Sequence, residues 1–378
     1  MSPRPFRSLF PLHASMSMWP FLLLFTSTSL AQQGPVTLRI ATYSTRGIRT
    51  DDLKSPDTPR LKQLADIIQH LRPNIILLNE IATDNPENAQ LFADRYLALP
   101  QSPDIEPLHF TAFTTPTNSG QPSALDLDKN GQVVTTYPSP DYSNDCWGPG
   151  DFPGHRGLAL LIDSRLTFLA KDARTFRLLP WTYMPGNALP EDKSDTTQEK
   201  LRLSSTSHWD APVRLPNGAT LHLLCSNPIP FIADSTRLAA RRNHDEISFW
   251  ADYIDGAPYI VDDANHPGGL AEDAPFILLG DLNAAPKQTS AFKDPITTLF
   301  SCRRLNSQVI PQSDIDLPGL SPSDTTIAKL RVDYVLPSKD IAIVAAGVWR
   351  HPSTSGTTPS DHFPVWMDLR IAPPNPDR

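Results

Sequence analysis

The stretch "NIILLNE", Asn74 to Glu80, decides the fold. It is a short apolar run that ends in an acid. Before it, Pro59 stands at a first helical position, and Leu61, Leu64, Ile67, Ile68 and Leu71 recur at helical spacing. That spacing predicts an amphipathic helix over 59–71, which Pro73 ends. Earlier still, Val36 to Tyr43 alternates as a strand does. Strand, helix, strand is the βαβ pattern, and it predicts an α/β domain.

Similar runs follow at Gly157–Ile162, Thr220–Cys225, Pro275–Asp281, Leu330–Leu336, Ile341–Trp349 and Phe363–Ile371, and all are expected as strands. Residues 238–254 predict a helix with an aromatic buried face. Residues 101–150 are rich in Pro, Ser, Asp and Gly and are expected to form a long insertion. One domain over 32–378 fits these elements best. The 40 prolines fit ordered loops between short elements.

Arg4 and Arg7, the apolar run Trp19–Phe25 and the small residues before Gln32 read as a cleaved secretory signal over 1–31. The apolar run is too short to span a bilayer, so no transmembrane anchor is expected. The expected location is secreted or periplasmic. Removing the two arginines from 33 basic residues leaves 31 against 41 acidic, a net charge of −10. That balance disfavours broad electrostatic capture of nucleic acid without excluding it. The cysteines Cys146, Cys225 and Cys302 allow at most one internal pair, and Cys225 is expected in the core.

Polar residues gather at strand ends: Glu80, Asn227, Asp281, Asn283 and Asp361-His362, with Asp333 inside a strand. Asp333 needs a partner, because an unpaired buried charge is costly, and His362 is the candidate. An Asp–His pair fixes the imidazole tautomer and raises its pKa, which suits phosphate binding or proton transfer. Glu80 and Asp361 offer oxygens to a hard cation such as Mg²⁺. Each feature alone has a plainer reading, as a strand cap, a polar turn or a strand start. Their joint occurrence in one order shifts the reading to a site.

In that order the chain resembles the endonuclease/exonuclease/phosphatase superfamily of metal-dependent phosphohydrolases. The resemblance rests on "LRIATYSTRG", "IILLNE", "LHLLCSNPIP", "ILLGDLNA", "RVDYVLPS" and "SDHFPVW", spread over residues 38–369. The pieces "SSTSHWDAPV", "RRNHDEISFWADYI" and "FPGHRGLALL" suggest a secreted bacterial branch. The resemblance implies a four-layer αββα sandwich, two sheets face to face with helices outside. It implies Glu80 as the principal ligand of Mg²⁺ or Mn²⁺, with Asp361 nearby. Asp281 would deprotonate the attacking water, and Asn283 and Asn227 would hold the phosphate. His362, held by Asp333, would stabilise the charge on the phosphoryl group. The family usually has Asn where this chain has Ser44, so the metal environment there is expected to be weaker.

Three further expectations concern the insertion and its surroundings. Asp126, Asp128 and Asn130, in Asp-x-Asp-x-Asn-Gly, suit a structural Ca²⁺ or a plain polar turn. Arg156 stands where it can reach a phosphate or lie on the surface. His208 and Trp209 are placed either along the substrate cleft or in ordinary packing. Three functions fit: a secreted phosphoester hydrolase, a nonspecific extracellular nuclease, or a Ca²⁺-dependent binding protein without catalysis. The oligomeric state is not legible.

Overall fold

The computed structural model describes Met1 and residues 34–192, 195–230, 237–288, 292–356 and 358–375. The expected signal segment, apart from Met1, lies outside the described residues. Residues 32–378 form one compact unit.

Twelve strands among the described residues build two sheets. The first runs β11 (Ala342–Val348), β12 (Val365–Ile371), β1 (Val36–Ile48), β2 (Ile75–Ile81), β4 (Gly157–Asp163), β3 (Phe110–Phe113). The second runs β10 (Asp333–Pro337), β9 (Phe276–Asp281), β8 (Thr220–Ser226), β7 (His208–Arg214), β5 (Thr167–Phe168), with β6 (Arg174–Thr175) also paired to β7. Parallel pairing occurs at β1–β2 and β8–β9, and helices make those crossovers. They are α2 (Pro59–Leu71) after α1 (Thr50–Lys54), and α4 (Leu238–Ile254). Short helices α3 (Asn88–Phe92) and α5 (Pro295–Phe300) complete the set.

Burial on both faces explains the continuous apolar runs. In β2, Ile75 and Leu77 join Leu38, Ile40, Leu160, Trp209, Leu223, Ile277 and Val335 in the core between the sheets. The alternate residues Ile76 and Leu78 pack outward under Leu61, Leu64, Ile68 and Leu71 of α2. The second sheet does the same: Leu224, Phe276 and Leu278 face Ile247, Trp250 and Ile254 of α4 and Ile296 of α5. A period of two on a sheet with both faces covered leaves no polar positions. The result is helix, sheet, sheet, helix. Burying a Leu or Ile side chain of this kind contributes about 1.5–3 kcal/mol, so truncating one in either central strand would be costly.

Asp333 opens β10 rather than lying inside a strand, because Val332 is bonded into the preceding loop through Thr325. Gly280 continues β9 opposite Tyr334. A Cβ there would meet the Ser226 carbonyl oxygen at 1.9 Å, so glycine is required by the close approach of β8. Cys146, Cys225 and Cys302 are all buried and free, with Cys225 between the sheets. No helix among the described residues is long and apolar enough to cross a membrane.

Candidate active site

The ends of β2, β8 and β9 and the loop before β12 converge on a cleft of about 160 Å³. Its lining includes Glu80, Arg156, Asn227, Asp281, Asn283 and His362. Six residues separated by up to 282 positions are thus brought together by the two central strand pairs.

Each side chain is aimed by a local device. Glu80 occupies a bulge: Asn79 and Ile81 pair with β4, while Glu80 is passed over and takes φ 64°. A bulge re-aims a side chain. Here it delivers a carboxylate to the cleft, where Oε1 lies 3.6 Å from the Arg156 Nε. The Thr45 hydroxyl holds this bulge by donating to the Asn79 carbonyl at 2.9 Å. Asp281 ends β9 and faces Asp333 directly across the ladder to β10. Two carboxylates in register repel, and burial adds to the cost of charging them. Burial first, then the charges of Asp333 and Glu80, push Asp281 up to about 7, against the opposing pull of His362.

His362 answers that negative charge. Its Nδ1 donates to Asp333 Oδ2 at 2.8 Å, and its Nε2 lies 3.9 Å from Asp281 Oδ2. Burial pulls the imidazole pKa down, but Asp333 and Asp281 outweigh it and raise it to about 10. Asp333 is fixed in turn by Thr325, whose hydroxyl donates at 2.7 Å. Its other oxygen, Oδ1, is buried without a hydrogen-bond partner. Ser360 links the loop to β1: its hydroxyl donates to the Ser44 carbonyl at 2.7 Å and accepts from the His362 N–H at 3.1 Å.

The amides form a relay. Asn283, at φ 51°, donates through Nδ2 to Asn227 Oδ1 and to the Pro228 carbonyl, both at 3.0 Å. Its donors are therefore spent, and the Asn227 amide hydrogens are left to face the cleft. Ser44 reaches Asp281 Oδ2 at only 3.4 Å. Its neighbour on β2, Asn79, bonds the same residue, its Oδ1 accepting from the Asp281 N–H at 3.4 Å. Asn79 was visible as the single amide in a buried apolar run.

Glu246 was not legible. From α4 its buried carboxylate accepts from the Ser205 N–H and hydroxyl and, at 2.8 Å, from the Ile229 N–H. Ser205 and Ile229 are both lips of the cleft. Burial raises the Glu246 pKa. Asn243, also on α4, holds the Ile229 and Leu282 carbonyls at 2.8 and 3.0 Å.

Other expected residues sit elsewhere. Asp361 does not line the cleft; His362, bridged to Thr326, turns inward in its place. His208 does not line it either. Its Nε2–H donates to the Glu246 carbonyl and its Nδ1 accepts from Ser204, both at 2.9 Å, and burial lowers its pKa to about 4. Trp209 is in the inter-sheet core. In the insertion, Asp126 accepts from the Gly131 N–H at 2.8 Å, and Asp128 accepts from the Asn130 and Asn144 amides at 2.9 Å. Asp145 joins them, within 4.8 Å, a partner that no spacing rule pointed to.

The donor set fits a hard divalent cation at Glu80. The cleft side holds carboxylate and amide oxygens and no thiolate. Asp281 stands in register with Asp333 and feels the charge of Glu80, so carboxylates repel one another here and a cation relieves that repulsion. Asp281, Asp333 and His362 also lie within 4.8 Å of one another, but a cation among them would break the His362–Asp333 bond.

Comparison with known proteins bears on the fold and the family. No curated protein matches the chain. A solved endonuclease/exonuclease/phosphatase from Beutenbergia cavernae DSM 12333 superposes with TM-score 0.50 at 19% identity, covering 89% of this chain and 72% of that one. The human Nocturnin catalytic domain with bound sulfate gives TM-score 0.47 at 15% identity, covering 90% and 94%. A family protein from Bacteroides thetaiotaomicron gives 0.48 at 12%, covering 92% and 98%. The profile of the Endonuclease/Exonuclease/phosphatase family matches residues 41–362, from the second half of β1 to His362 itself. With the second sheet, the first sheet apart from β12 and the start of β1, and every strand end of the cleft inside that match, the chain belongs to the endonuclease/exonuclease/phosphatase family.

Proposed function

We propose that the protein is an exported hydrolase of phosphoesters that works with Mg²⁺ or Mn²⁺ at Glu80. The observation that carries this reading is the His362–Asp333 pair set 3.9 Å from the Asp281 carboxylate. It supports a cationic imidazole and a carboxylate base acting on one cleft. Phosphoryl transfer needs positioning and charge neutralisation more than covalent chemistry.

The chain's own groups divide the work. His362, cationic at neutral pH, donates Nε2–H to a phosphoryl oxygen as charge builds there. Asn227, held by Asn283, donates its amide hydrogens to a second oxygen and fixes the phosphate's orientation. Asp281 accepts the proton of the attacking water, which suits a carboxyl raised to about 7. Arg156 faces Glu80 at 3.6 Å and balances it before substrate arrives. When bound, the cation supplies charge neutralisation at the phosphate. The signal segment supports export, and the acidic balance favours small phosphoesters over nucleic acid.

Purified protein is expected to cleave bis-p-nitrophenyl phosphate with Mg²⁺ and to lose this with chelator. Glu80→Gln should weaken Mg²⁺ binding at least tenfold by calorimetric titration. Unchanged Mg²⁺ affinity in that variant would remove Glu80 from the metal site, and plasmid nicking faster than ester cleavage would favour the nuclease reading.

A further inference from the structure

Beside the cleft lies a much larger pocket of about 800 Å³, and the two share Pro149 and Ile229 as a wall. Trp147, Trp181, Leu189 and Leu201 line its interior. This size is typical of a site that engulfs a small organic molecule. The cleft itself, at about 160 Å³, has room for a phosphate and little more.

Three cations line the pocket, and two are engaged within the protein. Lys129 lies 3.2 and 3.1 Å from Asp192 and Asp195. Arg242 donates to the carbonyls of Trp147, Arg202, Leu203 and Ser204. The third, Arg241, donates to the Ala188 carbonyl at 3.1 Å and lies over the Phe292 ring, while its Nε has no hydrogen-bond partner among the described residues. A track for a nucleic-acid backbone needs several uncommitted basic groups to displace counterions, and one partly engaged arginine does not make one. What the pocket offers instead is apolar area, beside the cleft at the shared Pro149 and Ile229.

We propose that the substrate is a small phosphoester with an apolar organic arm, alkyl or aryl, and that this arm lies in the pocket while the phosphate lies in the cleft. The inference rests on the phosphohydrolase reading for its chemistry and on the shared Pro149–Ile229 wall for its geometry. Glu246 fixes that wall through the Ile229 N–H, so the two compartments keep one relative placement.

The test uses the full chain and a series of 4-nitrophenyl phosphodiesters whose second arm is methyl, butyl, octyl or phenyl. The expected kcat/KM rises with arm length, by up to about fourfold for each methylene that enters the pocket. Leu201→Asp should flatten that dependence. Leu238→Asp, at the exposed start of α4 on the pocket's edge, does the same if the first variant fails to fold. A phenyl arm outrunning octyl assigns an aryl substrate, and the reverse an alkyl one. Cleavage independent of arm length overturns the inference and leaves the phosphohydrolase reading intact. So does faster turnover of an oligonucleotide than of the octyl ester. If no ester is cleaved, the phosphohydrolase reading falls, and calorimetry with octylphosphonate against methylphosphonate decides the pocket. Tighter octylphosphonate binding, lost in Leu238→Asp, supports it; equal binding overturns it.

Discussion

His362, largely buried, and His208, fully buried, both lie near strand ends of the same molecule, and they carry different charge states at neutral pH. His362 is raised to about 10 and His208 lowered to about 4. Burial acts against the charged form in each. The difference is the partner: a carboxylate, Asp333, for the first, and a carbonyl and a hydroxyl for the second. The neutral ring of His208 satisfies both neighbours, so it has no reason to take a proton. Asp333 and Asp281, opposed across a ladder, give His362 a strong one. Burial alone therefore says little about a histidine's role.

The comparison can be broken at its root. Asp333→Asn gives His362 a neutral partner of the kind His208 has. We expect a fall of about 10²–10³-fold in kcat, the usual loss for one transition-state donor, and a His362 titration moved down toward the ordinary range by NMR. A kcat within threefold of the parent would show that the pair has no part in turnover.

The His208 side is sharpened by acid. Its folded pKa is depressed below the unfolded value of 6.5. The unfolded chain therefore binds the extra proton first as pH falls. The stability contribution is fully present above pH 6.5 and is lost as pH falls through about 4, a change on the order of 2–3 kcal/mol. Denaturant melts of parent and His208→Gln between pH 7 and 4.5 should show a steeper acid loss in the parent. Parallel curves would mean that His208 is protonated in the fold.

The smallest effect belongs to Ser44. Its hydroxyl touches the His362 cluster only at 3.4 Å from Asp281, and Asn79 already bonds the same residue. Ser44→Ala should change kcat/KM by less than about threefold, in line with the worth of a long neutral hydrogen bond. A larger loss in steady-state assays would restore Ser44 to the metal's surroundings.

Much of the fold was open to reading because both sheets are covered on both faces. Runs such as Ile75–Leu78 and Phe276–Leu279 cannot be anything but deeply buried, and α2 over 59–71 carries its periodicity plainly. The two-residue strands β5 and β6 were closed to such reading, since two residues have no period. In the site, residues inside strong motifs were legible: Glu80, Asp281 and the Asp333–His362 pair. Residues that act by reaching far along the chain were not. Asp145 meets Asp126 through a fold of the insertion, and Glu246 looks like any charge on a helix until its partners at 205 and 229 are in place. Arg242, near the start of α4, is hidden in the same way, because its four carbonyl partners lie between 95 and 38 positions away.

Glu246 also sets how the cleft moves. One carboxylate grips both lips, at Ser205 and at Ile229, from a helix packed in the outer layer. Where Glu246 holds them, the lips are tied to α4 and share its cooperative unit. Opening the cleft would require loosening the helix, so the site's rigidity is inherited from the layer behind it, and substrate meets a shape that is already made.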